Sequence, residues 1–109
     1  MRVWLYARLS NDDDREMNSL LNQREICQAF AEQHRYTIVG QSFDDNISGM
    51  SFDRRGLDEL MVAVDADKID AVIAKDLSRL GRHRTQTALF IDYLRKHQVR
   101  VISATEGVD

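Results

Sequence analysis

The feature of this sequence that most constrains its fold is the alternation of short apolar runs with longer amphipathic segments. Strands are predicted for four runs rich in β-branched, aromatic or aliphatic residues, at 3–6, 36–43, 70–74 and 100–103. Helices are predicted for the three segments between them, at 19–33, 56–65 and 85–97. Strands joined by crossing helices run parallel and are covered on both faces. The pattern therefore predicts an α/β fold, with a mainly parallel sheet of four to five strands and helices on both faces.

Composition points to one soluble domain over residues 1–109. The chain is 43% hydrophobic and contains no proline and no linker-like stretch. Its longest apolar runs, such as 60–64, are far shorter than a membrane span, and its single cysteine, Cys27, fits a reducing compartment. We therefore expect a cytoplasmic protein with no membrane partner. A formal net charge of −3 also argues against holding DNA by bulk electrostatic attraction.

The predicted helices carry apolar stripes that should face the sheet. In the first helix, Gln23 interrupts the stripe between Leu20 and Cys27. A buried amide needs hydrogen-bond partners, so Gln23 either reaches the polar end of the sheet or lies at the edge of the stripe. The third helix is expected to bury a stripe formed by Ala88, Leu89, Ile91 and Leu94.

Polar residues collect after three predicted strands, at the end where parallel sheets form their sites. Arg8 and Ser10 follow the first strand, two residues apart, so that an extended chain points both to one side. The loop after the second strand contains Ser48 and Arg54. The segment after the third strand supplies a denser set, Asp76, Ser78, Arg79 and Arg82. Because arginine grips phosphate with paired hydrogen bonds, a serine ringed by arginines suits phosphoryl transfer.

Each of these residues also has a simpler interpretation. A serine after a strand is usually a turn or cap residue, and arginines at loop ends are usually solvated. The acidic run 12–14 is most simply an exposed loop, since no second ligand cluster accompanies it at metal-binding spacing. The convergence of a serine with several arginines favours a phosphate site over these separate interpretations.

Four segments resemble the motifs of serine site-specific recombinases, the family of resolvases, DNA invertases, and large integrases and transposases. Tyr-Ala-Arg-Leu-Ser at 6–10 is similar to the family's nucleophile motif. Three further segments are similar to its first-helix start, its second-strand loop and its arginine-rich third motif, at 19–23, 48–57 and 79–82. They occur in the family's order over nearly the whole chain. The sequence of residues 75–82 most resembles that of the large members of the family, which are found on mobile elements.

This resemblance implies an enzyme that cuts and rejoins DNA. Ser10 would attack a DNA phosphodiester, form a 5′-phosphoserine intermediate and expel a 3′-hydroxyl, without metal, ATP or other cofactor. The scissile phosphate would be bound by Arg8, Arg54, Arg79 and Arg82. Supporting positions would be Gln23, Ser48, Asp76 and Ser78.

The third motif departs from the best-known resolvase pattern. Those enzymes carry an aspartate directly before the motif's first arginine, whereas this chain has Ser78 there and Asp76 two residues earlier. The assignment of proton transfer therefore stays open: an arginine could perform it, and Asp76 could merely orient one.

The resemblance also implies the partners. In the family, a long helix and a C-terminal DNA-binding domain supply sequence recognition and assembly into dimers and tetramers. Because this chain ends soon after its fourth predicted strand, we expect it to be the catalytic fragment of a longer enzyme. Its substrate would be duplex DNA at a specific recombination site, engaged through that missing region, and the fragment alone would not recombine.

Two other classes fit the predicted fold. A flavodoxin-like receiver or phosphate-binding regulatory module should place acidic residues after its first strand, where this chain has Arg8 and Ser10. A dinucleotide-binding enzyme should carry G-x-G-x-x-G at that position, and this chain does not. Sulfate bound among Arg8, Ser10 and Arg79 would favour the recombinase, and Mg²⁺ held by carboxylates would favour the receiver.

Overall fold

A computed structural model of the chain describes residues 1–10, 19–46, 55–80 and 84–106. Its four strands are β1 (Arg2–Ser10), β2 (Thr37–Asn46), β3 (Ala71–Ala74) and β4 (Arg100–Ser103). Its three α-helices are α1 (Leu20–Gln33), α2 (Arg55–Asp65) and α3 (Arg84–Lys96). A short 3₁₀-helix, Leu77–Leu80, follows β3.

The strands form one sheet in the order β2-β1-β3-β4, and every pairing is parallel. β1 is therefore an inner strand that pairs with β2 on one side and β3 on the other. This arrangement confirms the predicted α/β fold with a parallel sheet.

Two apolar clusters show how the helices cover the sheet. Alternate residues of β1 point to opposite faces, so that Leu5 packs with Cys27 of α1 while Tyr6 packs with Leu60 of α2 and Leu94 of α3. Helix α1 therefore lies on one face, and α2 and α3 lie on the other. The expectation of helices on both faces is confirmed.

The first helix begins where the sequence predicts. Ser19 is its N-cap, and the Ser19 hydroxyl accepts a hydrogen bond from the backbone N–H of Asn22 at 3.0 Å. Such a cap satisfies one of the N–H groups that a helix leaves without an internal partner. It also fixes the first turn of α1, which contains Gln23.

The observed β1 is longer than the predicted run at 3–6. Its last four residues pair with residues 43–46 of β2, and the backbone ladder continues through the polar residues Arg8 and Ser10. Apolar periodicity locates the buried part of a strand and does not mark the point where backbone pairing stops.

The predicted stripe of α3 is partly wrong. Leu94 is fully buried and Ile91 packs against the core, but Ala88 is exposed and Leu89 is 66% exposed. At roughly 100° per residue, Leu89 points away from both Ile91 and Leu94. The contact face of α3 is therefore narrower than its apolar face.

In the part of the chain described above, no helix is long and apolar enough to cross a membrane.

Candidate active site at the carboxyl end of β1

The polar site lies where β1 ends beside β2 and β3. The chain moves to one side of β1 through α1, then crosses to the other side through α2 and continues outward to β4. Such a change of direction leaves a crevice outside the carboxyl ends of the inner strands, where ligands bind in open α/β sheets. Arg8 and Ser10 occupy that end of β1.

The first contact at this end joins α1 to β1. The Gln23 side chain is fully buried, donates to the backbone carbonyl of Arg8 at 2.8 Å and accepts from the backbone N–H of Arg8 at 3.1 Å. Of the two alternatives for Gln23, the structure thus supports the one in which the amide reaches the polar end of the sheet. The paired bonds fix the β1 backbone two residues before Ser10.

The second contact brings the segment after β3 to the same backbone atom. The Nη1 group of Arg79 donates to the Arg8 carbonyl at 2.9 Å, and the Arg79 Nε atom lies 3.4 Å from a carboxylate oxygen of Asp76. The Arg8 carbonyl therefore accepts from both Gln23 and Arg79. Because guanidinium is a planar fork with five N–H donors, contacts with two separate partners fix its orientation.

Both arginine side chains are buried to a degree that is unusual for a charged residue. Arg8 is 8% exposed and Arg79 is 6% exposed. Charged groups are almost never buried without a compensating partner, because removing them from water costs several kcal/mol or more. Arg8 and Arg79 thus bring two buried arginine side chains to the end of β1, and the arginine fork is suited to binding an anion such as a phosphate.

Of the other predicted site residues, Ser10 and Ser78 have a described backbone. Ser10 is the last residue of β1, opposite Asn46, and Ser78 lies in the 3₁₀-helix. The side chains of Ser10 and Ser78 lie outside the described part of the structure, as do Ser48, Arg54 and Arg82 entirely. Arg8, Gln23, Asp76 and Arg79 are therefore the predicted residues that the structure brings together.

A buried carboxylate that the sequence reasoning missed lies at the same end of the sheet. Asp44 is 1% exposed, on β2 opposite Arg8, and accepts a hydrogen bond from the Tyr6 hydroxyl at 2.7 Å. A signal was present in the sequence, since Ser42 and Asp44 alternate at the end of a strand and must share one face.

Among the described residues, no group of three or more histidine, cysteine or acidic side chains could hold a metal ion.

The structure shows a parallel α/β sheet with buried arginines at the carboxyl end of an inner strand, and comparison with known families identifies the class of protein. Residues 3–109 match the family Resolvase, N terminal domain, and the chain belongs to that family. It is thus a serine recombinase catalytic domain, from a family of site-specific enzymes that cut and rejoin DNA. A receiver has the same kind of sheet, so it is the family match that decides between these classes.

Solved structures support the assignment. The chain is 28% identical to a resolvase family site-specific recombinase from Streptococcus pneumoniae, with a TM-score of 0.86 over 100% of this chain and 75% of that one. It is 25% identical to the C-terminal catalytic domain of ISC1926 TnpA, an IS607-like serine recombinase (TM-score 0.78; 95% and 70% covered). The N-terminal catalytic domain of TP901-1 integrase shares the fold at 23% identity (TM-score 0.82; 100% and 81% covered).

Proposed function

We propose that this domain cleaves DNA by nucleophilic attack of the Ser10 hydroxyl on a backbone phosphodiester. The bond from the Ser10 oxygen to phosphorus forms as the bond from phosphorus to the 3′-oxygen breaks. The serine loses its proton and the departing 3′-oxygen gains one. The product is a 5′-phosphoserine link that retains the bond energy, so that a 3′-hydroxyl from another strand can reverse the step and rejoin the DNA without ATP.

The observation that carries this proposal is the hydrogen bond from Arg79 to the Arg8 carbonyl. It fixes the buried Arg79 guanidinium against the backbone of Arg8, itself a buried arginine, near the end of the strand that terminates in Ser10. The transition state of phosphoryl transfer spreads negative charge over the phosphate oxygens, and preorganised donors stabilise that charge. Arg8 and Arg79 would bind those oxygens together with Arg54 and Arg82.

The supporting residues would act through these arginines. Gln23 would hold the backbone of Arg8, and Asp76 would orient the Arg79 guanidinium through the ion pair at 3.4 Å. Ser48 and Ser78 are proposed to support the phosphate site from the loops after β2 and β3. Because arginines would replace the cations of a two-metal nuclease, cleavage should persist in EDTA.

DNA recognition is proposed to lie mainly outside these 109 residues, which form the catalytic domain. A net charge of −3 is poorly suited to neutralising many phosphates, and each neutralised phosphate contributes about −0.9 to the salt dependence of binding. The intact enzyme would act on a specific duplex site as dimers that pair into tetramers. Titrating labelled duplex against the 109-residue chain at physiological salt tests this division, and sub-micromolar specific binding would contradict it.

The test of the nucleophile compares two serine variants of the intact enzyme. Ser10→Ala should abolish strand cleavage and leave DNA binding unchanged, because it removes a hydroxyl and no charge. Ser103→Ala is the matched control, since Ser103 lies on β4, which does not pair with β1, and it should retain cleavage. Cleavage by the Ser10→Ala enzyme would refute the proposal.

A further inference from the structure

A cavity of about 480 Å³ lies between α1, the edge strand β2 and the start of α2. Its volume falls within the range of roughly 300–1,000 Å³ that is usual for sites of small ligands. Of the described residues, Gln23, Asp76 and Arg79, which make the contacts at the end of β1, do not line it. The cavity is therefore a space on this domain that the phosphate site leaves unused.

Two exposed apolar side chains border this cavity from different elements. Leu21 of α1 and Phe43 of β2 both line it, and each is 62% exposed. Phe43 pairs with Ala7 of β1, so its ring lies on the sheet face that α1 covers. Single exposed apolar residues are normal on a protein surface, but here an aromatic ring and an aliphatic side chain border one concave space. A flat apolar group that enters between them would be removed from water on both of its faces.

The charged side chains at the cavity favour an anionic ligand. Arg24 of α1 and Arg55 of α2 line it, together with the acidic residue Glu59, and all three are exposed. The formal charge of the described lining is thus +1, from two arginines and one glutamate, on a chain whose net charge is −3. Arginine is well suited to binding phosphate. A nucleotide, which joins a flat base to a phosphate, matches both the apolar walls and the arginines.

The cavity lies near the end of β1 that carries the proposed nucleophile. Ala7 lines the cavity and precedes Ser10 by three residues in the strand, or about 10 Å at roughly 3.3 Å per residue. Stacked nucleotides advance about 3.4 Å each along a strand, so this distance corresponds to about three nucleotides. A DNA strand with its scissile phosphate at Ser10 can therefore place a neighbouring nucleotide at the cavity.

We propose that this cavity binds an unpaired nucleotide of the DNA, within about three positions of the phosphodiester that is cleaved. The base would stack on Phe43 and contact Leu21, and Arg24 and Arg55 would bind the adjoining phosphates. Aromatic stacking combined with positive charge is the usual means by which proteins bind single-stranded DNA. This inference rests on the proposed function, because it takes DNA cleaved at Ser10 as the ligand.

Photo-cross-linking with the intact enzyme tests the contact directly. The duplex substrates carry 5-iododeoxyuridine, left unpaired by a mismatch, at one of the three positions on either side of the cleavage point. Irradiation should join the base to Phe43 from at least one of these positions. Tandem mass spectrometry of the tryptic peptide 36–54 identifies the modified residue. Cross-links confined to residues outside the cavity would overturn the inference.

Binding measurements test the stacking and are made in a Ser10→Ala background, so that the DNA stays intact. The enzyme should bind DNA with a mismatch at the cross-linked position about 10-fold more tightly than paired DNA, because stacking on Phe43 is gained without the cost of unpairing. Phe43→Leu keeps an apolar side chain but removes the aromatic face, and it should lose most of this preference. The control is Val39→Ala, an exposed apolar residue of the same strand outside the lining, which should keep it.

A second variant tests the charge. Arg24→Gln should lower the slope of log affinity against log salt by about 0.7–0.9 for the mismatched DNA, since it removes one phosphate contact. Arg95→Gln, in the last turn of α3, is the control and should leave that slope unchanged. Because Phe43 and Arg24 are exposed, neither change should impair folding.

The outcomes separate this inference from the proposed function. An equal preference for mismatched DNA in Phe43→Leu and Val39→Ala would overturn the inference. A Phe43→Leu enzyme that keeps this preference but sediments as a smaller assembly without DNA would also overturn it, and would make the cavity an interface between copies of the chain. These affinities are measured without cleavage, so they can fail while Ser10 proves to be the nucleophile, and the reverse.

Discussion

The side-chain amide of Gln23 bonds both the N–H and the carbonyl of Arg8, at 3.1 and 2.8 Å. A glutamine amide matches a strand edge because it offers one acceptor and two donors. The bonds replace the strand neighbour that β1 lacks beyond Tyr6, where its pairing with β3 ends while its pairing with β2 continues. They also make the first turn of α1 part of the proposed active site.

Replacing Gln23 by leucine should destabilise the domain. The change keeps the volume similar but leaves the buried N–H of Arg8 without this partner, which costs about 1–3 kcal/mol of unfolding free energy. Gln28→Leu on the exposed side of the same helix is the control and should change stability by no more than about 0.5 kcal/mol. Urea unfolding of wild type and both variants measures the difference. If Gln23→Leu and Gln28→Leu unfold at the same urea concentration, the Gln23 hydrogen bonds make no net contribution to the free energy of unfolding.

Replacing Arg79 by lysine should slow cleavage by roughly 100-fold, as does removal of one oxyanion-stabilising donor elsewhere. Lysine keeps the charge but loses the planar fork that reaches both the Arg8 carbonyl and Asp76. The control is Arg95→Lys, an exposed position in the last turn of α3. Single-turnover cleavage with saturating enzyme is the measurement, and a rate within a factor of two or so of wild type would contradict the role given to the fork.

Cys27 should make stability fall at alkaline pH. Burial, with a smaller contribution from the Asp76 carboxylate, raises the pKa of the Cys27 thiol from an ordinary value of 9.0 to about 12. The folded state thus holds its proton where the unfolded state loses it. The contribution of the Cys27 thiol to the free energy of unfolding is therefore complete below pH 9 and is lost as pH rises from 9 towards 12.

Comparison of wild type with Cys27→Ala isolates the contribution of the thiol to the loss of stability at alkaline pH. Urea unfolding of wild type and Cys27→Ala between pH 7 and about 11 should give a gap in stability that narrows as pH rises. A difference in unfolding free energy that stays constant with pH would show that folding does not raise the pKa of the thiol. The native thiol should also react slowly with a thiol reagent at neutral pH, because the thiolate is the reactive form.

Sequence patterns predicted the fold better than the site. The bounds of β4 were predicted to the residue, and the helices to within one residue at each end, because apolar periodicity and the Ser19 cap are local signals. The exposure of Leu89 was missed, since a single sequence does not show how wide a face the sheet will cover. The 3₁₀-helix after β3 was missed as well.

The site was partly predictable for a similar reason. Arg8 and Arg79 were placed at one end of the sheet by topology alone, which requires only that parallel strands end together. The burial of Gln23 left two alternatives that only the tertiary contact with Arg8 distinguishes. Asp44 was missed because its three donors come from Tyr6, Gly56 and Leu57, which are distant from it in the sequence.

The central claim, that Ser10 becomes covalently joined to DNA, can be tested by mapping the link. The intact enzyme is trapped on a nicked duplex, digested with nuclease and trypsin, and the modified peptide is sequenced by mass spectrometry. Trypsin cuts after Arg8 and Arg15, so that Ser10 is the one hydroxyl-bearing residue in peptide 9–15. The account predicts a 5′-linked nucleotide on that peptide. A nucleotide on the preceding peptide, which contains Tyr6, or cleavage with no covalent link, would contradict it.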